Sequence, residues 1–372
     1  MKYRIRHSLA DYKVQSYVHG DTIPDDAIDC SLGINPFGYT PQLTEELYRE
    51  TFSGISPYPS YPYRELRAAI CEYLAPAAKI VPEQLAIHTG SMGMLIDLNR
   101  LFIDEGTHVL VGEPTFSSAT TDMRAMGAQL TVVALREEEQ FRFSVARFIE
   151  ALRPEHTLVY LDNPNNPTGQ MIPLADIEQL AQKAAAQDTM VIVDEAYGDF
   201  MPLENSAVAL VNKYPNVIVV KTLSKGFGLA GLRTGYAVLP QAFMPIMQKL
   251  PAEMVVTETA ARLTPIALRD REHIARSRTQ IAANKARVLE VLSVLQASVT
   301  GDTVPIVLLY TERDLNLFDV MLRHGIITER GEDFDGIGKR HIRLRVPRDL
   351  TELLPRLAAV EKEVEGAPCN SK

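Results

Sequence analysis

Residues 221–233 read KTLSKGFGLAGLR, and two chemistries are open to them. Gly226, Gly228 and Gly231 spell G-x-G-x-x-G, the spacing of a turn that cradles a dinucleotide pyrophosphate. Lys225 precedes the first glycine, with Ser224 before it and Arg233 eight residues on, which suits a lysine nucleophile beside an anion site. The dinucleotide reading requires a strand that ends at the first glycine and an acidic residue about 20 positions later. Here Thr-Leu-Ser-Lys separates the strand-like run from Gly226, and Glu253 follows a proline-interrupted helix rather than a second strand. The oxidoreductase reading is the weaker of the two.

A lysine that forms a Schiff base needs a pocket, and pyridoxal phosphate makes distinct demands on one. Its ring nitrogen needs an acid, its phenolic oxygen needs donors, its ring an aromatic face and its phosphate an anion site. VIVDEAYGDF (191–200) puts Asp194 at the end of an apolar run, with Tyr197 three residues beyond. LDNPNNPTGQ (161–170), broken by two prolines and a glycine, offers Asn166. HTGSMGM (88–94) brings Gly90 and Ser91 to the start of the helix MLIDLNRLF, where backbone N–H groups attract phosphate. EPTFSS (113–118) supplies the ring of Phe116. Arg343, in the run HIRLRVP, fits a substrate carboxylate as a bidentate fork, with Arg330, Arg340 and Arg345 as alternatives.

These residues stand at the ends of elements. The runs 107–114, 129–135, 157–164, 190–197, 216–224 and 234–240 are continuously apolar, as suits strands covered on both faces of a parallel sheet. Between two of them, residues 173–188 place Leu174, Ile177, Leu180, Ala181 and Ala184 on one helical stripe. An α/β architecture is expected from about residue 40 to 240. A long helix over 272–297, marked by Ile281, Val288, Leu292 and Leu295, opens a different texture. Strand-like pieces at 304–310, 325–330 and 341–347 and a helix near 349–364 complete a smaller α+β part. The last residues, GAPCNSK, read as a frayed tail.

The chain has 372 residues and a net charge of −9, which argues against nucleic acid or an anionic membrane as partner. Cys30, Cys71 and Cys369 form neither a disulfide framework nor a metal-ligand spacing, so a reducing, cytoplasmic setting and no metal are expected. The basic N-terminus lacks the apolar run of a signal peptide, and no stretch is apolar enough to span a bilayer.

S-K-x-x-x-x-x-G-x-R (Ser224, Lys225, Gly231, Arg233), NNPTG and DEAY resemble the motifs of fold-type I pyridoxal-phosphate enzymes, the class I/II aminotransferases. Within that family the chain is most similar to the histidinol-phosphate aminotransferase branch, which includes threonine-phosphate decarboxylase. INPFG (34–38), Tyr58-Pro59, EPTF (113–116), LAGLRTGY (229–236) and GIITERGEDF (325–334) extend the resemblance over about residues 29–365.

The resemblance implies an aspartate-aminotransferase-like α/β fold, with a mostly parallel sheet covered by helices in a large domain and a smaller α+β domain. An N-terminal arm would span residues 1–40, a large cofactor domain 41–245 and a small C-terminal domain 246–372. Lys225 would carry pyridoxal 5′-phosphate and shuttle a proton. Asp194 would pair with the pyridine nitrogen, Asn166 and Tyr197 with the phenolic oxygen, and Phe116 would stack on the ring. Gly90, Ser91, the backbone of Met92, Thr222, Ser224 and Arg233 would hold the phosphate. Tyr58 would reach it from a partner subunit, which implies a homodimer with shared sites. Arg343 would take the substrate α-carboxylate, with Arg330, Asn35 and Gly33 nearby. The chain departs from the family pattern at Met92, at Gly33 where many relatives carry Asn, and at Gly226 where Ala is commoner. The first two departures lie toward the substrate or the phosphate rim.

The reaction implied is amino transfer between an amino acid and a 2-oxo acid. Decarboxylation of a phosphorylated amino acid, elimination or cyclisation remain open on the same cofactor. A regulatory binding module is a further alternative, without the basic helix-turn-helix segment such proteins carry.

Overall fold

A computed structural model describes residues 6–9, 22–250 and 253–368. Most of the N-terminal basic stretch and Cys369 lie outside the described residues. The N-terminal arm contributes β1 (Ile28–Asp29), followed by α1 (Glu45–Glu50) and α2 (Arg64–Leu74). Strands and helices then alternate: β2 (Leu85–Thr89), α3 (Gly90–Phe102), β3 (His108–Glu113), α4 (Ser117–Met126), β4 (Gln129–Ala134), α5 (Val145–Ala151), β5 (His156–Asp162) and α6 (Leu174–Ala185). Next come β6 (Met190–Asp194), β7 (Val217–Thr222) and β8 (Thr234–Val238), then α7 (Met244–Met247), α8 (Glu258–Arg269) and α9 (Arg271–Val291). The chain closes with β9 (Gln296–Ala297), β10 (Ile306–Tyr310), α10 (Leu317–Arg323), β11 (Ile326–Ile327), β12 (Glu329–Arg330), β13 (His341–Arg345) and α11 (Leu353–Glu365).

Seven strands form one sheet in the order β2-β8-β7-β6-β5-β3-β4. β3 to β7 run parallel to their neighbours, while β8 runs antiparallel to both β2 and β7. Val191, Ile192 and Val193 of β6 and Val217 to Val220 of β7 are fully buried, as their unbroken apolar runs require. β8 is just as apolar, so its run told of burial on both faces but not of direction. α6 seats Ile177, Leu180, Ala181 and Ala184 against this core.

A second sheet, β12-β13-β10-β9, is antiparallel throughout and packs its own core with α9, α10 and α11. β1 pairs in parallel with β11, which ties the arm to this part and sinks Cys30 in its core. Lys285 of α9 is fully buried and donates to Thr300 Oγ1, Gly301 O and Ile306 O at 2.7, 2.8 and 2.9 Å. Gly301 N in turn donates to Gly169 O, so the edge of the second sheet is fastened to the NNPTG loop.

The helix expected over 272–297 stops at Val291, and residues 296–297 join β10 instead. The stop has a chemical cause. Glu361 of α11 accepts hydrogen bonds from the backbone N–H groups of Ser293, Val294 and Leu295 and from the Ser293 hydroxyl. Three amides taken by a carboxylate are lost to helical bonding, and the chain turns away. Glu361→Ala leaves the buried Leu295 donor and the part-buried Ser293 and Val294 donors without their acceptor and is expected to cost ~2 kcal/mol. Urea denaturation should show a lower midpoint at unchanged slope. A midpoint equal to that of the unaltered protein would remove Glu361 as the cause of the stop.

Candidate active site

Parallel strands bring their carboxyl ends to one edge, where an open α/β sheet gathers ligands. Asp162 and Asp194 end β5 and β6 as register partners, and both are buried. Asp194 is 1% exposed. Its oxygens accept from Tyr160 Oη at 3.2 Å and Ala196 N at 3.0 Å, and no cation stands within ion-pair distance among the described residues. Burial, then the neighbouring Asp162 charge, pushes its pKa up to about 7.

Asp162 was not among the residues the sequence singled out. It accepts from Thr115 Oγ1 (2.8 Å), Phe116 N (3.2 Å), Asn165 Nδ2 (2.8 Å) and Asn166 N (2.8 Å). One carboxylate thus fixes both loops that present Phe116 and Asn166. Burial still raises it to about 6 against those donors. The signal available was an Asp closing an apolar run just before Asn-Pro.

Lys225 Nζ lies 5.6 Å from the centroid of the Tyr197 ring. Tyr197 Oη is buried without a hydrogen-bond partner among the described residues. Gly33 explains part of that geometry: a Cβ there would sit 1.8 Å from Tyr197 Oη, so the arm passes over the hydroxyl only as glycine. Asn35, expected near the substrate, is committed elsewhere. Its Nδ2 donates to Gly226 O (2.8 Å) and Ser277 Oγ (3.0 Å), and its backbone N–H to Lys225 O (3.0 Å). It clamps the arm onto the lysine loop.

Two of that loop's three glycines serve packing within the chain, while Gly231 has open space around it. Gly228 has φ +67°, and a Cβ on it would meet Gly38 O at 2.5 Å; one on Gly226 would strike Asp199 Cβ at 2.4 Å. Between β7 and β8 there is only a short 3-10 turn, Ala230–Leu232, so no helix N-terminus faces the glycines as a dinucleotide fold requires. Behind the loop, buried Lys221 pairs with Glu195 at 3.0 Å and with Asp199 at 3.8 Å, and Tyr73 Oη donates to Asp199.

α3 starts at Gly90, four residues earlier than expected, so Gly90, Ser91 and Met92 form its first turn. Gly90 has φ +74°, and a Cβ on it would lie 2.7 Å from the Arg233 guanidinium. Arg233 donates to Ala230 O at 3.0 Å and reaches Ser224 Oγ at 3.5 Å, while Thr222 Oγ1 donates to Ser224 Oγ at 2.9 Å. Helix amides, hydroxyls and one guanidinium meet in an anion cradle. The partly buried Met92 side chain packs against the apolar core on which Phe116 also packs, leaving only its backbone for the cradle. Tyr58 is 85% exposed and lies outside this cluster within one chain.

Arg343 is buried in β13. Nη1 donates to Asn166 Oδ1 at 2.8 Å, Nη2 to Ser31 O at 2.6 Å, and Nη2 also pairs with Glu329. Arg330 does not join it: its guanidinium lies 3.7 Å over the Phe318 ring. No three His, Cys, Asp or Glu side chains gather as a metal site among the described residues.

Residues 25–358 match the family described as aminotransferase class I and II. The chain belongs to this family. The histidinol-phosphate aminotransferase of Methanococcoides burtonii is 39% identical over 255 residues, 68% of each chain. Among solved structures, the histidinol-phosphate aminotransferase of Sinorhizobium meliloti in complex with pyridoxal-5′-phosphate superposes with a TM-score of 0.80. It is 22% identical, with 98% of each chain covered. Aspartate aminotransferase of Thermus thermophilus with maleate gives 0.79 at 24% identity, over 90% of this chain and 92% of that one. The fold is the aspartate-aminotransferase-like α/β fold, and the activity class is transamination.

In this aminotransferase the paired acids carry a pH signature. Both titrate higher folded than unfolded, so the folded chain holds more protons between about pH 4 and pH 7 and loses stability as pH rises through that window. The melting temperature of the cofactor-free protein should fall by several degrees from pH 5 to pH 7.5. Asp162→Asn should flatten that fall. Equal slopes in the two proteins would show that Asp162 is not the strained acid described.

Proposed function

We propose that this aminotransferase binds pyridoxal 5′-phosphate at the carboxyl edge of the seven-stranded sheet and carries amino groups between an amino acid and a 2-oxo acid. The observation that carries this reading is Asp194, a buried carboxylate with no cation beside it. A protonated ring nitrogen supplies both the donor and the positive charge it lacks. Tyr197 Oη, buried and unpaired, supports the fit, as does Asn166, whose amide –NH2 makes no hydrogen bond among the described residues. Both suit a phenolic oxygen. Gly90, Ser91, Met92, Ser224 and Arg233 suit the phosphate.

When bound, the cofactor supplies an electron sink in conjugation with the substrate nitrogen. The chain does the rest. Lys225 would hold the cofactor at rest, and its free Nζ would take the proton from the substrate α-carbon. In the second half-reaction the same amine returns a proton to the α-carbon of the acceptor. Asn166 and Arg343, joined by one hydrogen bond, orient the substrate carboxylate relative to the ring. We assign amino transfer, the reaction of the family, over decarboxylation, elimination or cyclisation. Two of the named relatives are histidinol-phosphate aminotransferases; a substrate phosphate would need a cation beyond Arg343, and Arg330 is turned to Phe318.

A second copy of the chain completes the site in this reading. Tyr39, Tyr48, Phe52, Ile55 and Tyr58 are large, apolar, exposed and close in sequence, a surface suited to a symmetric partner. Cys30 and Cys71 are free thiols, in keeping with a cytoplasmic setting, and no helix among the described residues is long and apolar enough to cross a membrane.

The purified protein should be yellow, and Lys225→Ala should abolish the absorption band of the bound cofactor. Arg233→Ala should weaken cofactor retention by about tenfold or more with little change in amino-acid preference, whereas Arg343→Ala should raise KM for the amino acid and spare retention. A colourless protein, or the reverse pattern in the two arginines, would overturn these assignments. Sedimentation should give two chains per particle, with cofactor retention reduced in Tyr58→Ala. A monomer with full retention in that variant would end the shared-site reading.

A further inference from the structure

The side chain paired with Arg343 points to a class of substrate. β12 and β13 align Glu329 directly opposite Arg343, so the two project from one face of the sheet. Their side chains are 16% and 7% exposed, and water and salt screen such a pair little. The other charges nearby are committed. Arg330 belongs to the opposite face of β12, over Phe318 and 4.0 Å from Asp319. Arg345, two residues beyond Arg343, donates to Asp29 O, and the Asp29 carboxylate accepts from Ser31.

Arg343 therefore enters the site with its charge already matched by the protein. A substrate carboxylate on Arg343 leaves this corner with an excess negative charge, from Glu329 and the substrate together. A second anion on the substrate side chain adds like charge in a poorly solvated place, which is costly. A cation there restores balance and meets a carboxylate acceptor. We infer that Glu329 sets the side-chain preference of the site, favouring amino acids whose side chain ends in a cation and rejecting those that end in a carboxylate or phosphate. The inference rests on the proposed role of Arg343 as the carboxylate site.

Three ligands with the same five-carbon chain test it, none with an α-amino group: 5-aminopentanoate, pentanoate and glutarate. The holoenzyme is first reduced with borohydride, so that the primary amine of 5-aminopentanoate cannot condense with the cofactor. Calorimetric titration of the holoenzyme should rank them in that order of affinity, with about tenfold between the first and the last. Glu329→Gln keeps the side-chain volume and removes the charge. In that variant glutarate should gain about tenfold and 5-aminopentanoate should lose a similar factor. A uniform change of all three would show that Glu329 only props Arg343 or competes for it, and would overturn the inference. So would glutarate binding the unaltered protein as tightly as 5-aminopentanoate, a result that needs no variant. Binding that survives Arg343→Ala unchanged would remove the carboxylate site and this inference with it. The Lys225-dependent absorption band reports separately on the cofactor reading.

Discussion

An ionised carboxylate taken out of water loses several kcal/mol of solvation, and Asp194 meets no cation among the described residues to offset that loss. Its strand is buried on both faces, and the acid next to it in register, Asp162, adds repulsion rather than relief. Such a group either holds a proton or waits for a cationic ligand. Much of the surrounding structure follows from keeping that ligand site in shape. Tyr160 and the Ala196 amide fix the Asp194 carboxylate, and Asp162 gathers the two loops that bear Phe116 and Asn166.

A second layer of buried charge holds the lysine loop from behind. Lys221, Glu195 and Asp199 form a network with Tyr73 and Ser206, and Arg278, which donates to Asp199 O, supplies the second positive charge beside the two carboxylates. Breaking such a set is costly because it strands a charge, so the β7 end and the DEAY turn hold one geometry relative to each other. Asn35 then pins the arm across Lys225 and Gly226. On the far side, Lys285 of α9 fastens the segment 300–306 that leads into β10, and Gly301 of that segment donates to Gly169 of the NNPTG loop. The lysine is thus placed by contacts from three separate stretches of chain.

What was legible in the sequence was what lies within a few residues of a strand end. Asp194, Asn166, Lys225 and Arg233 each close a buried run or open the turn after it, so residue type and position together point to their place. Residues defined by distant partners were not legible. Asp162 matters through donors 46 and 47 residues upstream as well as local ones, and Glu329 through a register across two strands. Arg330 and Asn35 have the right residue types, but strand alternation turns one away and five hydrogen-bonding groups absorb the other. The end of α9 was hidden for the same reason, since the carboxylate that stops it lies 66 to 68 residues further on.

That division has a consequence for how the two ends of the site can vary. The cofactor end is built from short segments on one sheet, each rigid and each local. The proposed substrate end lies where the arm, the NNPTG loop and the second sheet meet, at Ser31, Asn166, Glu329 and Arg343. Changing Glu329 alters the charge of that corner while leaving every donor to Asp162 and Asp194 in place. A chain can therefore keep the motifs of its family over nearly its whole length and still accept a different side chain. Gly33 shows the same economy: losing a side chain there lets the arm close over Tyr197 without moving the lysine beneath it.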